Sequence, residues 1–339
     1  MSIGLDIGST SIKVVELSKR GNDYMLKSAG AVGYSGPEID ANFTDEKAIA
    51  NMVAVIKKLF KDAKISSKDV SISLPETQVF TRILPFPMLN DQEIASAVKW
   101  EAEEYIPIPL KDAIMEHQII DRREDTKPPQ VLVLLVASLR SLVEKYVEIL
   151  EKADLNVVSV ETELMSMVRC LAPVDKSALL IDFGAKSTNI AVSNNGQLYF
   201  TRSIPTAGAA FTRAVSQALG ANAAQAEEYK KTYGLDERQL EGKVGKALLP
   251  IIKVVSQEIK KAIHYYQLNL KGNSPSTVII SGGSAGMPGL APALTNLLGL
   301  EVTVGSPFSK IQVDPTAAQS LANYAPLYSV AVGLALRNE

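Results

Sequence analysis

Apolar residues at the start of the chain fall into short blocks at 3–5 and 12–17, then a looser alternation over 24–34. The blocks are broken at Arg20-Gly21-Asn22-Asp23, whose Gly and Asn are turn formers. This pattern predicts strands at 3–8, 11–18 and 24–34, joined as a β-meander. Beyond it the period changes: Ile49, Met52, Val53, Ile56, Leu59 and Phe60 recur at helical spacing. Thr44 is the expected N-cap of that helix, which should lay its apolar face on the sheet. A strand at 70–74 then runs into Pro75.

The stretch 75–154 has a different texture. Leu84-Pro85-Phe86-Pro87-Met88 and Ile106-Pro107-Ile108-Pro109-Leu110 are apolar segments punctuated by proline. Between them Asn90 and Glu93 read as a capping box, and Ile94, Val98, Ala102 and Tyr105 as the inner stripe of a helix. A strand over 130–137 and a helix from about Ser141, with Leu142, Val143, Tyr146, Val147, Leu150 and Ala153 on one side, complete a small α+β unit.

After a strand from Leu155, Glu161 is expected to open a helix through Met165, Val168 and Leu171. Residues 178–204 then repeat the opening meander, with Asn194-Asn195-Gly196 as a hairpin turn. A helix over 208–219 follows, then a largely helical and charged stretch over 223–270, interrupted near Gly234 and Gly242. A strand at 277–280 leads into Ser281-Gly282-Gly283-Ser284, and a helix over 330–336 is the last element expected.

Composition narrows the function. Hydrophobic residues make up 46% and charged residues 21% of 339, which suits two folded lobes rather than disorder. A net charge of -2 offers no electrostatic basis for nucleic-acid binding. The longest apolar stretch, 131–137, is far short of the roughly 20 residues that span a bilayer. The opening has no basic region ahead of an apolar one, so a signal peptide is not expected and a cytoplasmic location is. Cys170 has no cysteine to pair with and is expected to be a buried thiol, while His117 and His264 have no ligand cluster around them.

The chemistry concentrates in a motif that occurs twice. Asp6-Ile7-Gly8-Ser9-Thr10-Ser11 and Asp182-Phe183-Gly184-Ala185-Lys186-Ser187 each sit between two β-prone runs. Such a turn aims backbone N–H groups at one point, and an aspartate at the strand end can hold a hydrated cation. Strand alternation puts Ser11 and Lys13 on one face, so the ammonium could reach phosphates held by the turn, a contact worth about 1.5–3 kcal/mol. Taken one at a time the other features are ambiguous. Glu227 and Lys230 share a helix face, as ribose ligands or as a solvated pair. The 282–284 loop could admit a flat ring beside Met287. Glu161 could orient a water, or only favour the helix dipole.

In order, the segment from Asp6 to Lys13, then Glu161, Asp182-Phe183-Gly184, Ala226-Glu227-Glu228-Tyr229-Lys230 and Ser281-Gly282-Gly283-Ser284 resemble the phosphate-one, connecting, phosphate-two, ribose and adenosine motifs of the actin-like ATPases. Within that superfamily the chain is most similar to the PilM family of type IV pilus assembly, relatives of the cell-division protein FtsA. That match rests on Leu84-Pro85-Phe86-Pro87, Glu101-Ala102-Glu103-Glu104-Tyr105-Ile106-Pro107, the Val160-Glu161 junction and Lys260-Lys261-Ala262-Ile263-His264-Tyr265-Tyr266.

The resemblance implies an α/β, two-lobed actin-like (ribonuclease H-like) fold with the small α+β subdomain inserted in the first lobe. The first lobe would comprise 1–74, 155–177 and 326–339, the insert 75–154, and the second lobe 178–325 with a helical subdomain over about 220–272. It implies ATP and Mg2+ in the central cleft: Asp6 and Asp182 for the metal, Gly8, Ser9, Thr10, Ser11, Lys13 and Gly184 for the phosphates. Glu227 and Lys230 would take the ribose, and Gly282, Gly283, Ser284 and Met287 the adenine. It also implies a groove near the insert for the N-terminal cytoplasmic tail of the inner-membrane protein PilN, and so membrane association through that partner at the cytoplasmic face. Other pilus platform and motor components, and self-association, stay open. Actin has a second aspartate where this chain has Ala185, which points to nucleotide holding or slow hydrolysis, with Glu161 the named candidate for activating water. An FtsA-like filament and a small-molecule kinase are the alternatives on the same fold.

Overall fold

The structure, a computed structural model, describes residues 1–337 except Asn22. Along the chain it forms β1 (Ser2–Ile7), β2 (Ser11–Arg20), β3 (Asp23–Gly33), α1 (Glu46–Asp62), β4 (Asp69–Leu74), β5 (Val79–Phe86), α2 (Asp91–Tyr105), β6 (Ala113–Arg123), β7 (Gln130–Leu139), α3 (Arg140–Lys152), β8 (Asn156–Thr162) and α4 (Glu163–Leu171). There follow β9 (Ser177–Phe183), β10 (Thr188–Asn194), β11 (Gln197–Ile204), α5 (Gly208–Leu219), α6 (Ala223–Tyr233), α7 (Lys243–Asn269), β12 (Thr277–Ser281), α8 (Leu290–Leu298), β13 (Val302–Val304), β14 (Ile311–Gln312), α9 (Pro315–Leu321) and α10 (Ser329–Ala335). The strands make a six-stranded sheet ordered β14-β3-β2-β1-β4-β8, a five-stranded sheet β11-β10-β9-β12-β13 and a three-stranded sheet β5-β7-β6. This is the mixed α/β, two-lobed architecture with an insert that the sequence motifs imply.

Each lobe is built on a meander that alternates its faces. On β2, Ile12 and Val14 join Ile49, Met52 and Ile56 of α1, whereas Val15 and Leu17 turn to the other side and meet Ala331, Val332 and Ala335 of α10. The helix α10 lies so close to β1 and α4 that glycine is required twice. A Cβ at Gly4 would stand 2.0 Å from the Ala331 carbonyl oxygen, and one at Gly333 would stand 1.9 Å from that of Ser166. Gly333→Ala is therefore expected to cost about 1–3 kcal/mol, because backbone rather than a flexible side chain must move. A urea midpoint equal to that of the parent chain would show that α10 has slack.

The insert has an unbroken apolar run because β7 is covered on both faces. Val131, Val133 and Leu135 pack under Ile94, Val98 and Ala102 of α2, with Leu84, Phe86 and Ile106 beside them. Leu132 and Leu134 face the other way and join the core of the second lobe with Leu164, Leu180 and Ile190. The proline-punctuated residues are thus largely subdomain core, with Met88 left exposed.

Several local readings shift. Asp45, not Thr44, caps α1, accepting from the N–H groups of Lys47 and Ala48. The Asn90–Glu93 capping box forms as read. Gly21 turns with φ +63°, while Asn22 lies outside the described residues. Where the sequence places the helix from about Ser141 in the insert, α3 packs Leu142, Tyr146, Ile149 and Leu150 into the first-lobe core. Where it keeps residues up to 325 in the second lobe, β14 already pairs with β3 of the first sheet. Asn338 and Glu339, assigned to the first lobe from sequence, lie outside the described residues.

Candidate functional site

The repeated motif folds twice in the same way. Gly8 N–H donates to the Ser11 carbonyl at 3.0 Å, and Gly184 N–H donates to the Ser187 carbonyl at 3.1 Å. Antiparallel register sets Asp6 opposite Lys13 in the first copy and Asp182 opposite Asn189 in the second. The duplication is therefore structural, and its asymmetry is a lysine in one lobe against an amide in the other.

Lys13 Nζ lies 2.9 Å from Asp6 Oδ2, with side chains 9% and 5% exposed. Burial alone would lower the lysine's pKa, but the Asp6 charge and hydrogen bond outweigh it, aided by Asp182 and Glu163, and the net direction is up. One ammonium thus answers carboxylates from both lobes. Asp182 is pushed up to about 6 by burial, with Asp6 adding to the rise and Lys13 opposing it. A Cβ at Gly282, whose φ is +89°, would fall 2.3 Å from Asp182 Oδ1, so the glycine loop presses directly on the second turn.

Glu161 sits elsewhere than its expected place. It is on β8, and the helix starts two residues later behind Thr162, whose hydroxyl accepts from Met165 N–H. The buried Glu161 carboxylate takes a two-pronged grip from Arg169 at 2.5 and 2.6 Å, with Arg337 at 3.4 Å. Such a fork occupies both oxygens. Sequence reasoning passed over its neighbour. Glu163 Oε2 accepts from the backbone N–H of Glu76, two residues past the end of the first lobe's β4, and from Asn189 Nδ2 of the second lobe, each at 3.3 Å. Burial raises the Glu163 pKa well above the usual value, with Asp6, Asp182 and Glu76 adding. Glu76 accepts from Leu164 N–H at 2.9 Å and is itself raised by burial. The signal that could have found Glu163 is its spacing, two residues from Glu161 across a strand-to-helix junction.

The remaining sequence candidates gather around the second turn. Gly208 and Ala209, which open α5, donate N–H groups to the carbonyls of Gly184 and Ala185. Lys230, almost fully buried, reaches from α6 to Glu227 Oε2 at 2.7 Å, Thr212 Oγ1 at 3.2 Å and the Gly208 carbonyl at 3.4 Å. Burial pulls its pKa down more than Glu227 restores it. Ser284 N–H donates to the Phe183 carbonyl, and its carbonyl accepts from Met287 N–H. Ser9 and Ser11 are part-exposed in the first turn and Thr10 is exposed.

The family model described as type IV pilus assembly protein PilM matches residues 4–339. The chain belongs to the PilM family. A solved structure described as the PilM-PilN type IV pilus biogenesis complex superimposes with a TM-score of 0.85 at 27% identity, covering 99% of this chain and 98% of that one. The cell division protein FtsA of Streptococcus pneumoniae serotype 2 is 23% identical over 346 residues, 90% of this chain and 75% of FtsA. MreB5 of Spiroplasma citri bound to AMPPNP shares the fold, with a TM-score of 0.54 at 13% identity over 98% of this chain and 93% of that one. Among the described residues this PilM-family chain has no helix long and apolar enough to cross a membrane. Cys170, expected to be a buried thiol, is buried, points at the Pro307 carbonyl at 3.6 Å, and its thiol is raised to about 12 by burial.

Proposed function

We propose that this PilM-family chain is a nucleotide-binding adaptor of type IV pilus assembly, seated at the cytoplasmic face of the inner membrane by binding the N-terminal tail of a PilN-type protein. The observation that carries the nucleotide part is the pair of facing turns, with Lys13 answering both Asp6 and Asp182. The donor set fits Mg2+ with a polyphosphate. Asp6 and Asp182 are hard oxygen donors, but among the described residues no three acidic, His or Cys groups are placed to cage an ion unaided. Mg2+ keeps to one or two carboxylates and completes its shell with phosphate and water, which this set allows. Bound there, the ion would neutralise the phosphates. Gly8, Ser9, Thr10, Ser11 and Gly184 would offer turn N–H and hydroxyl groups, and Lys13 its ammonium. Glu227 and Lys230 would meet the ribose, with Gly282, Gly283, Ser284 and Met287 around the base.

With Ala185 in place of a carboxylate and Glu161 held by Arg169, Glu163 is the better-placed residue for orienting water, and turnover is expected to be slow. Partner binding gains a route to the cleft through β7, whose Leu132 and Leu134 lean on the second lobe, so lobe closure moves the insert. The reading is checked by capturing the chain with a PilN-type N-terminal peptide, with and without Mg-ATP, alongside Asp6→Ala. Capture that rises with Mg-ATP and falls in the variant is expected. A peptide that binds under no condition removes the adaptor reading, and undiminished ATP binding in Asp6→Ala removes the site.

A further inference from the structure

Lys186 belongs to the repeated motif but has no part in the reading above. It stands at the tip of the second turn, between Ala185 and Ser187, with its side chain 61% exposed. Its ion-pair partner lies in the other lobe: Nζ is 3.1 Å from Oε1 of Glu38, itself 41% exposed. Glu38 rides on a loop that is fixed rather than slack. Tyr34 N–H donates to the Thr10 carbonyl at 2.9 Å, the Tyr34 hydroxyl donates to the Pro37 carbonyl at 3.1 Å, and Gln78 Nε2 donates to the Ile39 carbonyl at 2.8 Å. Tyr34, Ile39 and Phe43 anchor the loop in the first-lobe core. Because Thr10 is part of the first turn, the ion pair runs from the edge of one turn to the tip of the other. Glu38 also shares the field of the cleft. The Tyr146 hydroxyl is raised by burial first, and then by Glu163, Asp6 and Glu38.

The lysines of the two motif copies differ in freedom. Lys13 is buried against Asp6, so its ammonium is a fixed part of the site. Lys186 is exposed and paired with one carboxylate, and a pair of that kind contributes little and exchanges readily. A phosphate group, with more charge and several strong acceptors, is the better partner for an ammonium. This inference rests on the nucleotide reading, in which the base and ribose residues all lie in the second lobe and the phosphates extend towards the first. The second-lobe ammonium that leans across to the first lobe then meets the phosphate farthest from the base. A triphosphate has that group and a diphosphate lacks it.

We propose that Lys186 is the residue by which this site tells a nucleoside triphosphate from a diphosphate, leaving Glu38 to bind the terminal phosphate. Glu38 is then a competitor for the ammonium, and the two partners have opposite effects on affinity.

Calorimetric titration of the full chain with Mg-AMPPNP and with Mg-ADP tests this. Lys186→Ala should weaken Mg-AMPPNP about 10-fold and Mg-ADP by less than about 2-fold, whereas Lys186→Arg should keep most of the parent's preference. Glu38→Gln, which removes the competitor, should tighten Mg-AMPPNP about 2- to 5-fold and leave Mg-ADP as it was. If Lys186→Ala weakens both nucleotides equally, or neither, the proposal is overturned while the nucleotide reading stands. Weaker Mg-AMPPNP binding in Glu38→Gln also overturns it, since the pair would then be a clasp that closes the lobes. A parent chain that binds neither nucleotide overturns the nucleotide reading itself, and the proposal with it.

Discussion

Lys13→Ala is expected to destabilise the chain by about 3–5 kcal/mol and to weaken Mg-ATP binding about 10- to 150-fold. The stability loss comes less from the ion pair itself than from what its removal leaves behind. Asp6 would be a carboxylate shut away from water, within electrostatic reach of Glu163, with no cation beside it. Replacing both partners, Asp6→Asn with Lys13→Met, keeps volume and removes the stranded charge, so that pair should be much milder than Lys13→Ala in urea unfolding. The affinity loss separates from the stability loss because it persists in the double variant, which lacks both the Asp6 metal ligand and the ammonium. Calorimetric titration with Mg-ATP reads the second effect. If Lys13→Ala and the double variant are equally unstable, the stranded-charge account is wrong. If Lys13→Ala binds Mg-ATP like the parent, the first turn does not hold phosphate.

What could be read from the sequence was mostly local, and what could not was mostly a question of which partner a face meets. The turns at Asp6 and Asp182 were legible because strand, glycine and strand lie within a dozen residues, and the Asn90–Glu93 box because capping is a three-residue affair. The pairing of Asp6 with Lys13 was within reach, since hairpin register is set by the turn. The reversal of Glu161 and Glu163 was not. Both would share a face if β8 continued, but the chain turns helical at Glu163, and that rotation sends one carboxylate to Arg169 and the other between the lobes. Amphipathic spacing likewise found the buried side of α3 without saying that it packs on the first sheet. The run 131–137 announced burial on two faces, yet nothing local says that the second face belongs to the other lobe.

Binding of Mg-ATP is expected to strengthen about 10- to 100-fold from pH 5 to pH 8 and to release protons as it does. The cause is the crowd of carboxyls around one lysine. Asp182 is raised by burial to about 6, Glu163 well above its usual value by burial and then by Asp6, Asp182 and Glu76, and Glu76 is raised by burial as well. In the unfolded chain these groups titrate near 4. As pH rises through about 4 the unfolded chain gives up protons that the fold retains, so the folded state is relatively disfavoured. The associated stability is fully present below about pH 4 and is lost as pH rises through about 6 for Asp182 and through the raised pKa of Glu163. A cation and its ligand need the ionised forms, so at neutral pH they meet a cleft already under charge strain and relieve it. Glu163→Gln deletes one of the raised groups while keeping an acceptor for Asn189 or for the Glu76 N–H. That variant should melt higher than the parent at pH 8 without ligand, match it near pH 4, and show a shallower pH dependence of Mg-ATP affinity. Proton release is read from titrations in buffers of different ionisation enthalpy. Equal melting of the two chains at pH 8, or an affinity flat from pH 5 to pH 8, would mean that these carboxyls do not face the ligand.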